Sequence, residues 1–325
     1  MTCLSFAPAA AARQRAAAGG GRALTFGGAP AELLSGSSDR CVKRWSASEK
    51  AYIDTLYGHS DGVVALVAGR GGRAVSAGAD RSCRLWRTTE DTQLVFSAPA
   101  GCVSLESVAW TSGAKEWVTG GCDGSLYRWA VTKKKPAGVW AAAHGINEGA
   151  STKAATAAAA AAAAANGGGG VGGAATQQQQ EQQQHAPANG YAPGGAARRA
   201  GGWGVGGGAQ AAVLRAARAA AGPIPFASLG DTAKWVGALA TAPGTDLLAS
   251  GAGDGAIRLW GVLPGGFGLD PVGALTARGF VNGIAIDAQG RFLVAAMGQE
   301  PRRGRWARDG GARNGVLFHS LATPE

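Results

Sequence analysis

Ser76-Ala77-Gly78-Ala79-Asp80-Arg81-Ser82-Cys83-Arg84-Leu85-Trp86 sets a serine, a run of small residues, an aspartate and a tryptophan at fixed steps. The apolar pair Ala74-Val75 leads into it, and Cys83-Arg84-Leu85-Trp86 closes it with an alternating pattern. One strand therefore enters a tight turn where small residues tolerate unusual dihedrals, and a second strand returns. Three further segments align with it without gaps: Ser35-Gly-Ser-Ser-Asp39-x5-Trp45, Thr119-Gly-Gly-Cys-Asp123-x5-Trp129 and Ser250-Gly-Ala-Gly-Asp254-x5-Trp260. Each has its own apolar lead-in: Glu32-Leu33-Leu34, Trp117-Val118 and Leu247-Leu248-Ala249. A unit that recurs in this way buries its faces by stacking against copies of itself.

The steps between tryptophans give the organisation. Trp45 to Trp86 is 41 residues and Trp86 to Trp129 is 43, inside the range of about 40–45 for a WD40 blade. The unit resembles that repeat, whose network runs His–Ser/Thr–Asp–Trp. The one complete set that the sequence offers is His59, Ser76, Asp80 and Trp86. It contains the residue types of a catalytic triad, but Ser/Thr–Asp–Trp recurs four times at one spacing, whereas a triad occurs once. The set, with Asp39, Trp45, Asp123, Trp129, Asp254 and Trp260, is read as structural.

Trp129 to Trp260 spans 131 residues, one repeat of 43 with 88 to spare. Residues 145–231 supply that excess, with polyalanine from Ala157 to Ala165, Gly167 to Gly170, and the Gln177–Gln184 tract broken by Glu181. Two degenerate blades would also fill the distance, but this composition has almost no β-branched strand material and reads as a disordered insertion. The piece Ala209 to Ala221 is helix-prone and no more is claimed for it. The segment 150–228 is accordingly expected to be dispensable for stability. A fifth unit follows, with strands at Phe280–Ile286 and Arg291–Ala296 and Trp306 lying 46 residues beyond Trp260. Its aspartate turn is replaced by an arginine-rich one. The expected fold is all-β, a WD40 β-propeller with five recognisable blades: three over 1–144, the insertion over 145–231, and two over 232–325.

The net charge is +10 and the pI about 9.8, a balance suited to a polyanionic partner, RNA above all. Residues 145–231 hold five basic and three acidic residues, so eight of the ten excess charges lie outside the insertion. Arg291 to Arg313 alone contains six arginines against Glu300 and Asp309. Cys3, Cys41, Cys83, Cys102 and Cys122 form no C-x-x-C pair and read as reduced thiols buried in strands, as in an intracellular protein. No apolar stretch of membrane length is present, so no span is expected. Met1 to Phe6 lacks the basic-then-apolar order of a secretory signal.

Met297-Gly298-Gln299-Glu300-Pro301-Arg302-Arg303-Gly304-Arg305-Trp306, followed by Ala312-Arg313-Asn314-Gly315-Val316, resembles the last blade of the U3 small nucleolar RNA-interacting WD40 family. Tyr52–His59, Asp91–Phe96, Ala98–Gly101, Lys134-Lys135-Pro136, Ala143-His144-Gly145 and Trp235-Val236 agree with it. The resemblance covers about 1–144 and 232–320. It implies seven blades and a charged N-terminal extension, and this chain starts in what corresponds to the third blade. It also implies a non-enzymatic scaffold of the U3 small nucleolar ribonucleoprotein in pre-rRNA processing for the small ribosomal subunit. The implied partners are U3 snoRNA, box C/D snoRNP core proteins and other small-subunit processome proteins. The implied place is the nucleus and nucleolus, with no membrane, small-molecule substrate, cofactor or metal.

The candidate RNA ligands are Arg302, Arg303, Arg305, Arg308 and Arg313, whose guanidinium forks match phosphate oxygens. The competing reading is a solvated turn on the propeller rim. Replacing Arg302, Arg305 and Arg308 is expected to weaken RNA binding and leave folding nearly unchanged. Lys133, Lys134 and Lys135 form a second candidate, read as a loop before Pro136, with plain solvation as the alternative. Gln299 and Asn314 are read as ordering the arginine turn, and Arg198-Arg199 as inert. His144 and His319 are read as structural. The glycine runs lack the Lys-Ser/Thr end of a phosphate loop. A general WD40 protein–protein adaptor, for example a ubiquitin ligase substrate receptor, remains the alternative function.

Overall fold

The computed structural model describes residues 2–6, 32–69, 71–112, 115–141, 143–144, 212–217, 234–263, 268–287, 289–304 and 307–321. Arg305 and Trp306 lie outside them, as does the 145–231 segment apart from 212–217.

Each Asp-x5-Trp unit becomes the two middle strands of one antiparallel sheet. Blade 1 is β1 (Cys3–Phe6), β2 (Glu32–Gly36), β3 (Val42–Ser46) and β4 (Ala51–Leu56). Blade 2 is β5 (Val63–Ala68), β6 (Arg73–Gly78), β7 (Ser82–Arg87) and β8 (Thr92–Ser97). Blade 3 is β9 (Leu105–Trp110), β10 (Glu116–Gly121), β11 (Leu126–Ala130) and β12 (Lys133–Trp140). Blade 4 is β13 (Ala238–Thr241), β14 (Leu247–Gly251), β15 (Ala256–Val262) and β16 (Leu269–Thr276). Blade 5 has three strands: β17 (Phe280–Ile286), β18 (Phe292–Gly298) and β19 (Gly315–Ser320). The first strands of successive blades pack side by side, β1 on β5, β5 on β9, β9 on β13 and β13 on β17. The result is a five-blade β-propeller arrangement built from WD40 repeats.

Burial follows from this stacking. The middle strands β10, β11, β14 and β15 lie between neighbouring blades and are buried almost throughout, whereas β4 and β8 are largely exposed. That is why β14 reads as a run of apolar and small residues, whereas β11 and β15 bury Arg128 and Arg258 among theirs. Between blades 2 and 3, Trp117 and Trp129 are fully buried, and Phe96 meets Trp117 edge-to-face at 4.9 Å. Such a ring pair adds roughly 0.5–1.5 kcal/mol beyond its area. Each aspartate turn then places the next residue at positive φ: Arg40 (71°), Arg81 (62°), Gly124 (80°) and Gly255 (84°).

Two expectations are refined here. Residues 212–217 form a helical turn whose Ala217 is fully buried, with Val213 and Leu214 packed against the core shared by blades 4 and 5. The turn lies within the helix-prone piece Ala209 to Ala221, the rest of 145–231 lies outside the described residues, and deletion through 228 would remove the turn. The cysteines also divide: Cys83 and Cys102 are buried, whereas Cys3, Cys41 and Cys122 are partly exposed.

Candidate nucleic-acid interface

The tryptophan network comes first, because it fixes where every loop emerges. Trp45, Trp86, Trp129 and Trp260 each donate the indole N–H to the hydroxyl ten residues upstream, at 2.9, 2.8, 2.8 and 2.8 Å. An indole N–H only donates, so Ser76 accepts from Trp86 and passes its own proton to His59 Nε2 at 2.7 Å. His59 Nδ1–H then donates to the Asp80 carboxylate at 3.0 Å. Burial alone would raise the Asp80 carboxyl, but hydrogen bonds from His59 and Ser82 outweigh it and hold the group below the usual carboxylate range.

Blade 4 holds a second complete set, missed by the sequence reading. His144, fully buried, meets Asp254 through Nδ1 at 3.1 Å and Ser250 through Nε2 at 2.7 Å. Arg258 also donates to Asp254. Desolvation pushes the His144 imidazole below its ordinary pKa. Asp254 would be raised by burial, yet the pull of His144 and Arg258 lowers it to about 2. His144 is thus structural, but it belongs to the blade beyond the 145–231 segment. The histidine in the Ala143-His144-Gly145 run was the available signal. In blade 3 no histidine serves, and the Tyr127 hydroxyl donates to Asp123 at 2.5 Å.

The arginine turn occupies residues 299–314 between β18 and β19. Gln299 and Asn314 order it. The Asn314 amide oxygen accepts the Gln299 N–H at 2.8 Å, and the Gln299 amide donates to Ala312 O at 2.8 Å. Asn282 from β17 adds a bond to Glu300 O at 3.0 Å.

The turn divides the candidate ligands. Arg302 reaches from blade 5 toward blades 2 and 3, donating to Glu106 O at 3.1 Å and Val64 O at 3.5 Å. Arg303 Nη1 donates to both carboxylate oxygens of Glu106, at 2.9 and 3.0 Å. The Glu106 side chain is 4% exposed and that of Arg303 35%. Both contacts are made at the end of the blades where β5 and β9 begin, so the pair joins distant blades. Arg302 bonds two strand carbonyls of other blades, which bears on the expectation that its replacement leaves folding nearly unchanged. Arg308 is exposed and leans on the Gln299 amide oxygen at 3.1 Å. Arg313 is exposed as well, and Arg278, absent from the sequence reading, lies against Gly311 of the same turn with an exposed residue surface.

The lysines lie elsewhere. Lys133 to Lys135 are not a loop but the exposed first residues of β12, with Lys133 paired to Ala130 and Ala130 to Glu116. That is the far end of blade 3 from Leu105 and Gly121, the end where Glu106 meets the arginines. The structure does not bring the two basic clusters together. His319 is partly buried and faces Thr276 O at 3.3 Å. Among the described residues, no group of three His, Cys, Asp or Glu could hold a metal, and no helix is long and apolar enough to cross a membrane.

Comparison with known proteins agrees with this architecture. The WD domain, G-beta repeat, matches residues 50–87 and 225–261. The chain is 28% identical over 298 residues to the U3 snoRNP-associated protein-like EMB2271 of Arabidopsis thaliana, covering 92% of this chain and 47% of the relative. It is 31% identical over 253 residues to the U3 snoRNP-associated protein-like YAOH of Oryza sativa subsp. japonica, covering 78% and 37%. Over 87 residues it is 41% identical to U3 small nucleolar RNA-interacting protein 2 of Mus musculus, covering 27% and 18%. Among solved structures, U3-55K superposes with a TM-score of 0.60 at 28% identity, covering 89% of this chain and 64% of that one. The RRP9 WD40 repeats give the same TM-score and identity. The chain spans half or less of the length of these curated relatives.

Proposed function

This chain is a WD40-repeat protein with homologues among the U3 snoRNP-associated proteins, and from that premise we propose that it is a non-enzymatic scaffold of the U3 snoRNP. In this reading it contacts U3 snoRNA, sits beside the box C/D core and other small-subunit processome proteins, and acts in the nucleolus in pre-rRNA processing. The observation that carries the proposal is the arginine turn of blade 5, an ordered basic element in a chain whose relatives are named for the U3 particle.

The geometry refines the ligand set. Arg302 and Arg303 are engaged with Glu106 and Val64, and their role is to hold the turn in place. Arg302, Arg303, Arg308 and Arg313 all keep exposed surface, as does Arg278, but Arg302 and Arg303 direct their donors to blades 2 and 3, so Arg308 and Arg313, with Arg278 beside them, are the phosphate ligands we assign. Arg305 remains a candidate on its place in the sequence. Lys133 to Lys135 are at most a separate contact at the other end of blade 3.

The test is binding of U3 RNA by the wild type and by Arg308→Ala/Arg313→Ala, measured across salt concentrations. Each lost phosphate contact should flatten the log–log salt slope by about 0.7 on single strands and about 0.9 on duplex. Equal affinity and slope in the variant would remove these residues from the interface. Crosslinking that enriches no U3 RNA would instead leave the protein–protein adaptor as the better reading.

A further inference from the structure

Blade 3 departs from its neighbours at the position that holds histidine in blades 2 and 4. A Cβ on Gly78 would meet His59 Nδ1 and Asp80 Oδ1, both at 2.6 Å. A Cβ on Gly121, the matching glycine of blade 3, would meet Asp123 Oδ1 and, at 3.0 Å, the sulfur of Cys102. Cys102 and the Tyr127 ring, whose Cε2 is also at 3.0 Å, therefore share the place that the imidazole takes in blade 2. Asp123 is filled by the Tyr127 hydroxyl at 2.5 Å and the Ser125 N–H at 3.1 Å, and Trp129 goes to Thr119.

The second sulfur lies on the same turn. Cys122 aligns with Ala79 of blade 2 and Gly253 of blade 4, so the turn itself has no need of a thiol there. The Cys122 N–H donates to Ser104 O at 3.1 Å, and the Cys102 thiol donates to that same oxygen at 3.3 Å. The two thiols lie near enough for each to shift the other's pKa, Cys122 downward and Cys102 upward. Cys102 has no exposed surface, whereas Cys122 is partly open to solvent.

We propose that Cys102 and Cys122 form a hydroperoxide-responsive thiol pair, with Cys122 as the reacting sulfur and Cys102 as the resolving one. The Cys122 thiolate attacks the peroxide oxygen, breaking the O–O bond to give a sulfenic acid and hydroxide. The Cys102 sulfur then displaces the sulfenic oxygen, which leaves as water with the Cys102 proton, and the S–S bond forms. Both thiols are oxidised by two electrons in total, and one hydroperoxide is reduced. Besides this placement, the neighbouring Cys102 thiol holds the Cys122 thiol below its ordinary pKa, toward the thiolate, the nucleophilic form. The bond would fasten the start of β9 to the β10–β11 turn. Gly121 O of that turn accepts the Val236 N–H and Gly124 O the His144 N–H, so oxidation would act where the chain leaves for the 145–231 segment and where it returns.

The experiment treats the whole chain with a small excess of hydrogen peroxide, alkylates it, and maps its peptides with and without reduction. The expected product is a reducible Cys102–Cys122 peptide, with Cys122 consumed about tenfold or more faster than Cys41, which is also partly exposed. Cys83, buried and taking the Trp117 N–H at 3.4 Å, should stay reduced. In Cys102→Ser, dimedone should trap a sulfenic acid at Cys122. In Cys122→Ala, which copies Ala79 and keeps the test independent of how Cys102→Ser folds, Cys102 should stay unmodified. The proposal is overturned if Cys122 reacts no faster than Cys41, or if the wild type yields a trapped sulfenic acid and no cross-linked peptide.

Discussion

Replacing Arg303 with alanine strands the Glu106 carboxylate, and this perturbation measures how far the arginine turn contributes to the fold. Glu106 is 4% exposed at its side chain and takes both guanidinium bonds of Arg303, at 2.9 and 3.0 Å. Breaking a fully buried ion pair by removing one partner costs about 3–5 kcal/mol. Arg303 is 35% exposed, so solvent screens the pair on one side and the figure is discounted to about 1–3 kcal/mol. At roughly 2–4 °C per kcal/mol for a domain of this size, the melting temperature should fall by about 2–12 °C. Glu106→Gln keeps the shape and removes the charge, so alone it should cost less. In the double variant the two losses should fail to add by about 1–2 kcal/mol, as they do for groups in contact. Thermal and urea melts of all four proteins give the cycle. Additivity within about 0.3 kcal/mol, with an unchanged melting temperature in Arg303→Ala, would refute the reasoning and return Arg303 to the phosphate ligands.

Three further outcomes follow from the geometry. His144 is held below its ordinary pKa, so between its folded and unfolded values the unfolded chain binds more protons, and stability falls as pH drops below about 6.5. Asp254, lowered to about 2, loses its contribution only below about pH 3.9; a His144→Gln variant should show a shallower melting-temperature decline between pH 7 and 5. Deleting 150–205 should shift the melting temperature by no more than about 2 °C, whereas extending the deletion to 228 removes the packed Val213, Leu214 and Ala217 and should cost several degrees more. Arg81→Gly should stabilise the chain by about 0.5–1 kcal/mol in urea melts, because a φ of 62° strains any residue with a Cβ, and blades 3 and 4 already use glycine there.

The propeller was legible because its determinants are local. Serine or threonine, the aspartate four positions on and the tryptophan six beyond it sit on one hairpin, and their spacing survives any tertiary context. Trp45, Trp86, Trp129 and Trp260 accordingly make the same bond in all four blades. The division of labour among the arginines was not legible. Arg303 finds its carboxylate 197 residues away, and Arg302 its second carbonyl 238 residues away. Nothing beside Arg302 or Arg303 in sequence separates them from Arg308 and Arg313. His144 was hidden for the same reason, since its aspartate partner lies 110 residues on. The helical turn at 212–217 was visible as propensity, but its docking surface on blades 4 and 5 has no local signature.

The placement of His144 bears on how this propeller tolerates variation in length. The histidine belongs to the fourth blade yet lies on the near side of residues 145–231, and its N–H is held by Gly124 O at 3.0 Å. On the far side, Val236 N–H is held by Gly121 O at 3.2 Å, and Lys234 packs beside Gly124. The intervening segment therefore departs and arrives at one hairpin, like a cord passed twice through the same eyelet. Its two ends are fixed by bonds that do not depend on how much chain runs between them. Closing such a loop costs about 0.6 kcal/mol more for each doubling of length. A lineage could lengthen, shorten or replace most of this stretch while the blades on either side kept their register, so homologous propellers should differ in length here far more than in the spacing of their tryptophans.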